Sequence, residues 1–591
     1  MKNSPYTLAA LLTCCSLLSG CFDREGDTGE VTEVSLSQQA EYQQNTPEQA
    51  PAANPVADNY SYGTLTDITA DVSENPVAYV PPQCYTTPVE GETVHNPCYV
   101  CHTASKRPNN LNDIDVQLAY SFPERGLINN WDNTFKDRTA AIADISDEEI
   151  QEYTAQDNYQ SENGGIILAA KLASPPEQWD RNRNGKWDGY IPDAWFNFDE
   201  NGFDVAPNGE YSGWRVYAYY PFPGTFMPTN GSTDDVMIRL PQAFRELPDG
   251  TYDQETYEVN LAIVEAMMKE KDVPLTPVNE AKFNVDLNGN GLEDIATFVH
   301  YDWSPREGRM MTYVGRAKTL LDAGELHIAA RLMPEGTEFL HSVRYLDTRG
   351  EKTGLAPRMK ELRYAYKNSW RDYNQLRIIV DKEIKERHDF PDRTKRLTGN
   401  MESGLNLPHG WTYQGFIEDD AGELRPQTYE ETFACMGCHG YTGSSNDTNI
   451  SFSRKFDAGT SYRDGWYYWL EKDLSGVADP LREDGQGEFS YYLKNNPTGN
   501  EFRDNPEVLA RFFDEQGQPR EDAFATLQQD ISYLLMPSKE RALKLNKAYR
   551  VIVDEQSFID GRDPVVTPLS NIYHEVELDQ ETGITEVLSY Y

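Results

Sequence analysis

Two short stretches of the chain carry reactive side chains at a spacing that repeats, Cys98-Tyr99-Val100-Cys101-His102 and Cys435-Met436-Gly437-Cys438-His439. Two residues between the thiols let one turn of backbone present both sulfurs to the edge of a flat group, while the next residue turns its imidazole beneath the centre. C-x-x-C-H therefore reads as covalent attachment of haem c: Cys98, Cys101, Cys435 and Cys438 add to porphyrin vinyl groups, and His102 and His439 become proximal iron ligands. A four-cysteine zinc site would not need histidine at the fifth position both times. A thioredoxin-like pair would expect a βαβ context, which the sequence does not offer.

Of the eight cysteines, Cys14 and Cys15 lie in an apolar stretch, Thr7 to Gly20, that follows Lys2. At about 14 residues it is an export h-region, too short to span a bilayer. It ends in Leu18-Ser19-Gly20-Cys21, which resembles the lipobox of bacterial lipoproteins. That resemblance implies cleavage before Cys21 and lipidation of its thiol, and Phe22 in place of aspartate implies the outer membrane, facing either the periplasm or the cell surface. The two C-x-x-C-H motifs are likewise similar to those of c-type cytochromes, at six positions, so the chain resembles a di-haem c-type cytochrome exported as a lipoprotein. One cysteine is left, Cys84. It reads either as a buried small hydrophobe or as a distal thiolate ligand of the kind found in some thiosulfate-oxidising cytochromes.

Each iron has a sixth position. His300, in Phe298-Val299-His300-Tyr301, and His341, in Phe339-Leu340-His341-Ser342, occupy apolar, strand-like segments and are the first candidates for distal ligands. His95, three residues before Cys98, is next, and the same histidines could instead be satisfied core residues. Met311, Met333 and Met536 are thioether alternatives.

A second chemistry lies between the motifs. Asp180-Arg181-Asn182-Arg183-Asn184-Gly185-Lys186-Trp187-Asp188 and Asp286-Leu287-Asn288-Gly289-Asn290-Gly291-Leu292-Glu293-Asp294 share the pattern D-x-N-x-N-G-x-x-D. Alternating oxygen ligands (Asp180, Asn182, Asn184 and Asp188; Asp286, Asn288, Asn290 and Asp294) can wrap one Ca2+, with glycine permitting the sharp turn. Ile191 and Thr297 replace the twelfth-position glutamate of an EF-hand, so these resemble the shorter calcium loops of extracellular domains. Asp199 to Asp204 is a third, weaker stretch. Without a cation the same residues are ordinary turn formers.

The elements that must position these groups are expected to be mixed. Between His102 and Cys435 lie 332 residues, far more than one small haem module needs. The expected organisation is a signal peptide (1–20), an acidic tether (21–57), a first haem module (58–160), a β-rich domain with the calcium loops (161–350) and a helical second haem module (351–591). The tether holds seven acidic residues, one basic residue and two aromatics from Phe22 to Ala57, too little apolar area to offset its ordering entropy. Strands are expected at Trp214–Tyr220 and Asp235–Leu240. Helices are expected near Ser146–Gln156, Val259–Glu270, Lys318–Leu332 and Pro357–Glu386, then after Phe524 and after Ser538. The fold class is thus a multidomain α+β chain whose C-terminal part is a mainly α-helical, cytochrome c-like domain.

With 53 Lys and Arg against 96 Asp and Glu, the net charge is −43, which excludes a general nucleic-acid binder. Cations concentrate at residues 352–396, with 13 Lys and Arg against 7 acids, and on Lys539, Arg541, Lys544, Lys547 and Arg550. They form either a solvated face or partners for buried anions. Two functions follow from these residues. The first is electron transfer in the bacterial envelope, with redox proteins of that chain as partners and a lipid anchor in the membrane. The second is a di-haem oxidoreductase, peroxidase-like or oxidising sulfur compounds, with one open or labile iron position.

Overall fold

In the computed structural model, residues 80–87, 118–222, 227–393, 397–440, 447, 450–482, 484–495 and 505–584 are described. The chain divides into two units, 1–58 and 59–591, and all of the described residues belong to the second.

Thirteen strands are described: β1 (Ala119–Tyr120), β2 (Phe203–Val205), β3 (Tyr211–Tyr217), β4 (Thr233–Arg239), β5 (Val273–Asn279), β6 (Ile295–Val299), β7 (Glu338–Asp347), β8 (Gly354–Lys367), β9 (Thr398–Asn400), β10 (Gly404–Asn406), β11 (Trp411–Glu418), β12 (Leu424–Pro426) and β13 (Gln580–Glu581). Nine of them make one antiparallel sheet in the order β2-β3-β4-β7-β8-β11-β10-β9, with β12 also paired to β11. Residues directly opposite each other share a face. One row across the sheet is therefore Tyr413, Ala365, Phe339, Ile238 and Arg215, and the next is Gly415, Arg363, His341, Val236 and Tyr217.

Both faces are covered. On the face that carries these rows, Tyr217, Val236, Ile238, Phe339, Ala365 and Trp411 pack with a helix, α1 (Gln254–Lys269), and its neighbours. On the opposite face, Trp214, Val216, Met237, Leu340, Leu362 and Phe416 pack against Tyr159, Leu168, Trp179 and Trp187. Burial on both sides explains why the central strands lack a clean polar–apolar alternation.

The expectation of a mainly helical C-terminal cytochrome c-like domain is overturned. Strands β8 to β12 lie inside residues 351–591, and β8 and β11 are central in the nine-stranded sheet. The helix expected over Pro357–Glu386 is a strand to Lys367, and only Tyr373–Asp389 (α2) is helical. The misreading has a physical cause. Glu361 and Lys367 are charged yet 1% and 0% exposed, because Arg363 and Arg562 pair the first and Asp447 pairs the second. Charges that look solvent-facing in the sequence are buried and paired, so the period-2 pattern is hidden. A capping box at Asp372 and Gln375 starts α2 after the strand ends.

Other elements follow the sequence more closely. Asp147–Ala155, Gln254–Lys269 and Lys539–Glu555 are helices with Ser146, Asp253 and Ser538 as N-caps. The run expected to reach Leu332 stops at Asp322, just before Gly324 at φ +75°. The helix expected after Phe524 is split, Glu521–Gln529 and Ser532–Leu535.

Candidate functional site

Cys21, His95, Cys98, Cys101 and His102 lie outside the described residues, as does the side chain of Cys438. The second motif can be built from its scaffold upward. It begins on α3 (Tyr429–Met436), whose capping box joins Thr428 and Glu431: the Glu431 N–H donates to Thr428 Oγ1 at 3.2 Å, and the Thr428 N–H donates to Glu431 Oε2 at 2.8 Å. Arg425, 1% exposed, forks onto both oxygens of Glu431 at 2.7 and 2.8 Å and onto Gln556 Oε1 at 2.9 Å. Such a bidentate pair fixes the start of the helix in angle as well as position.

The helix ends at Gly437, with φ +44° and ψ −117°, a backbone state that side chains other than glycine's hydrogen resist. Pro81 Cγ stands 3.8 Å from where a Cβ at Gly437 would be, so the segment preceding Cys84 packs on this turn. A 3-10 turn, Gly437–Gly440, follows. Met436 is buried with Leu405, Leu407, Tyr429 and Phe433, while Cys435 and His439 are half-buried. The His439 ring lies 5.6 Å from that of Tyr413 on β11.

Beside Cys435 is a buried charge cluster. Its Sγ is 3.8 Å from Glu361 Oε2. That same oxygen accepts from Arg363 Nε at 2.9 Å, Arg562 Nη1 at 2.9 Å and Gln427 Nε2 at 3.3 Å. Burial pushes the Glu361 carboxyl up, but the Arg363 and Arg562 guanidiniums outweigh it and hold it at about 2. The carboxylate is therefore ionised at neutral pH, and the cluster of two guanidiniums and one carboxylate is cationic. The cations of residues 352–396 divide between two environments. Arg358, Lys360 and Lys367 on β8 are buried, whereas Arg377, Lys382, Lys385 and Arg387 on α2 are exposed. The role of Arg562, 123 positions after His439 by subtraction, left no local signal at all.

The sheet brings one of the two favoured histidines toward the second motif. His341 shares the face of Tyr413, on β7, with β8 between its strand and β11, so the two strands are about 10 Å apart. His300 lies elsewhere. It follows β6 in the separate β5–β6 sheet, with Nδ1 3.0 Å from Asp272 Oδ1. Its ring leans on the second Asp/Asn loop, where a Cβ at Gly289 would be 2.8 Å from Cδ2. His409, which carries no local signal that would favour it, is fully buried in the turn between β10 and β11. Cys84 is half-buried in a 3-10 turn, packed against Tyr85, Tyr120 and Ile572. Cys84 and Cys435 form no disulfide.

The two Asp/Asn loops have the same construction. In the first, Asp180 accepts from the N–H groups of Asn184 at 3.1 Å and Gly185 at 2.7 Å, and both Asn182 and Asn184 point their amides at Asp188 Oδ2. In the second, Asp286 accepts from Gly289 and Gly291, each at 2.8 Å. A buried glutamate from outside clamps each loop at corresponding positions. Glu402 accepts from Arg181 and Asp188 at 2.9 and 3.0 Å. Glu280 accepts from Leu287 and Asp294, the counterparts of Arg181 and Asp188, at 2.5 and 3.0 Å, and from Asn288 at 3.1 Å. Each loop offers two carboxylates and two carboxamides, a hard-oxygen donor set. Among the described residues, no group of three or more His, Cys, Asp and Glu side chains gathers as metal ligands.

A family model described as a "-like lipoprotein" matches residues 68–533, and the chain belongs to this lipoprotein family. An uncharacterized lipoprotein of Aquifex aeolicus (strain VF5) is 30% identical over 597 aligned residues, covering 89% of this chain and 94% of the relative. No solved structure matches. The family indicates a membrane-anchored protein of the cell envelope. Among the described residues, no helix is long and apolar enough to cross a membrane.

Proposed function

We propose that this lipoprotein is a di-haem c-type cytochrome that carries electrons in the bacterial envelope, anchored through a lipid on Cys21 in the outer membrane. The observation that carries the reading is the pair of intact C-x-x-C-H motifs in an exported chain. The geometry of the second motif supports it. A capped helix and a glycine-only turn present the Cys435 thiol and the His439 imidazole beside one sheet face, and the donor set of two thiols and an imidazole is that of haem c.

In this reading Cys98, Cys101, Cys435 and Cys438 hold the two groups and His102 and His439 are the proximal ligands. His341, on the face that carries Tyr413, is the favoured distal ligand at the second site. Bound haem supplies reversible one-electron iron chemistry. The residues of the chain set its potential through burial and charge, and the cationic cluster of Arg363, Arg562 and Glu361 favours the reduced, less positive state. The partners are redox proteins of the envelope. Carbon monoxide added to the reduced protein tests the carrier role. Six-coordinate carriers leave the spectrum unchanged, whereas a CO adduct at either iron would contradict the carrier and favour the oxidoreductase.

The two Asp/Asn loops serve as Ca2+-bound staples. Calcium at 100-fold over its Kd is expected to add about 2.7 kcal/mol per occupied loop, so EDTA should lower the Tm and excess calcium should restore it. Asp180→Asn and Asp286→Asn should each remove part of that calcium response, with calorimetry as the readout.

A further inference from the structure

Lys360 is a buried titratable group that none of this chemistry uses. Lys360 on β8 is 0% exposed, yet its Nζ donates to neutral acceptors, Gly231 O at 2.6 Å and Ser232 Oγ at 3.0 Å. The ammonium also sits over two phenol rings, 4.1 Å from the centroid of Tyr549 and 4.9 Å from that of Tyr345. Taking an ammonium out of water is costly unless a counter-ion compensates, so its charged and neutral forms come close in energy. The carboxylates of Asp563, Glu361 and Glu418, from the C-terminal segment, β8 and β11, act on it through space. The Tyr345 and Tyr549 phenols, both pushed well up by burial, lie against it, and the Arg562 and Arg363 guanidiniums act on Tyr549 from the same region.

The neighbour of Lys360 on the strand, Glu361, is the residue whose Oε2 lies 3.8 Å from Cys435 Sγ. Glu361 also acts through space on Lys360, so one carboxylate links the lysine electrostatically to the second attachment site. A negative charge added in a low-dielectric interior raises the proton affinity of nearby bases, because Coulomb terms there are weakly screened.

We propose that Lys360 is a redox-linked proton site: when the second haem takes up one electron, Lys360 takes up one proton, and it releases that proton on reoxidation. This rests on the di-haem reading. An external one-electron reductant converts ferric to ferrous iron. The proton comes from solvent and adds to the Nζ lone pair, turning amine to ammonium, and no other bond forms or breaks. The electron and proton together leave the net charge of the buried region unchanged. Burial pushes the Lys360 ammonium down to about 7, with Asp563 and Glu361 opposing, so the coupling operates around neutrality. Lys360 lies outside the haem ligand set and acts by balancing charge.

The sign follows directly. Reduction favours the protonated lysine, so the midpoint potential of the second haem should fall as pH rises through neutrality. The slope should approach a tenfold change in the oxidised-to-reduced ratio per pH unit, about 59 mV for one electron.

The test is spectroelectrochemical titration of the purified holoprotein between pH 5.5 and 9. In the wild type one of the two haems should show the slope, and in Lys360→Met that haem should be pH-independent while the other is unchanged. Ser232→Ala, which removes one acceptor from the ammonium, should move the sloping region to lower pH and keeps the test decisive if Lys360→Met does not fold. A flat wild-type profile, a slope that survives in Lys360→Met, or a sloping region unmoved in Ser232→Ala would overturn the proposal. A preparation with no covalent haem would instead remove the di-haem reading on which it stands.

Discussion

Arg425→Met is expected to lower the stability of the protein by about 3–5 kcal/mol, the cost of leaving a buried charge without its partner. The guanidinium is 1% exposed and Glu431 3% exposed, so water cannot replace the lost bonds. Glu431 also closes the capping box of α3, and an N-cap contributes about 1 kcal/mol more where it is disturbed. Because α3 carries Cys435, the damage should reach the second C-x-x-C-H turn. Urea unfolding followed by tryptophan fluorescence measures the loss. Arg377→Met on the exposed face of α2 is the control, expected within about 0.5 kcal/mol of wild type. A similar small change for Arg425→Met would mean that the ion pair does not hold the helix as described.

The second large effect is chemical. Replacing Cys435 and Cys438 together by serine should remove one of two covalent haems and leave the other, halving the haem absorbance per chain in alkaline pyridine. Each thioether is an independent covalent link, so the single Cys435→Ser variant should keep some haem through Cys438. The double variant should also lose the pH-dependent potential assigned to the second haem while the remaining haem titrates as before. A double variant that retained the full haem content would place the attachment elsewhere.

The sequence made the local chemistry easier to read than the architecture. The C-x-x-C-H spacing, the D-x-N-x-N-G-x-x-D loops and the N-caps at Ser146, Asp253 and Ser538 are short-range signals written in adjacent residues. The nine-stranded sheet was not legible as a whole, because its pairings join distant segments, as in Val236 with His341 and Glu361 with Ile417. Strand β8 was misread because its charges are neutralised by Arg562 and Asp447, partners that only the folded chain brings near.

The same limit applied to the candidate site. His341 has apolar neighbours in the sequence, and the structure sets it on the face of Tyr413. His300 has the same kind of neighbours, yet it packs against the Gly289 turn beside Asp272. Local context could not separate them, since both lie in or at the end of apolar strands. The groups nearest Cys435, namely Glu361, Arg363 and Arg562, come from two segments far from the motif in sequence. No spacing rule could have gathered them. The clamps Glu402 and Glu280 illustrate the point in smaller form. Each motif loop was visible, but the buried carboxylate that ties its ends was not.

The central claim is two covalent haems on one lipoprotein chain. Its most direct test is the haem content and thiol count of the mature protein made in a host with c-type haem attachment machinery. The expected result is two haems per chain that resist acid–acetone extraction, with Cys84 as the one thiol open to alkylation after unfolding. A haem-free protein in which Cys98, Cys101, Cys435 and Cys438 are all alkylated would contradict it.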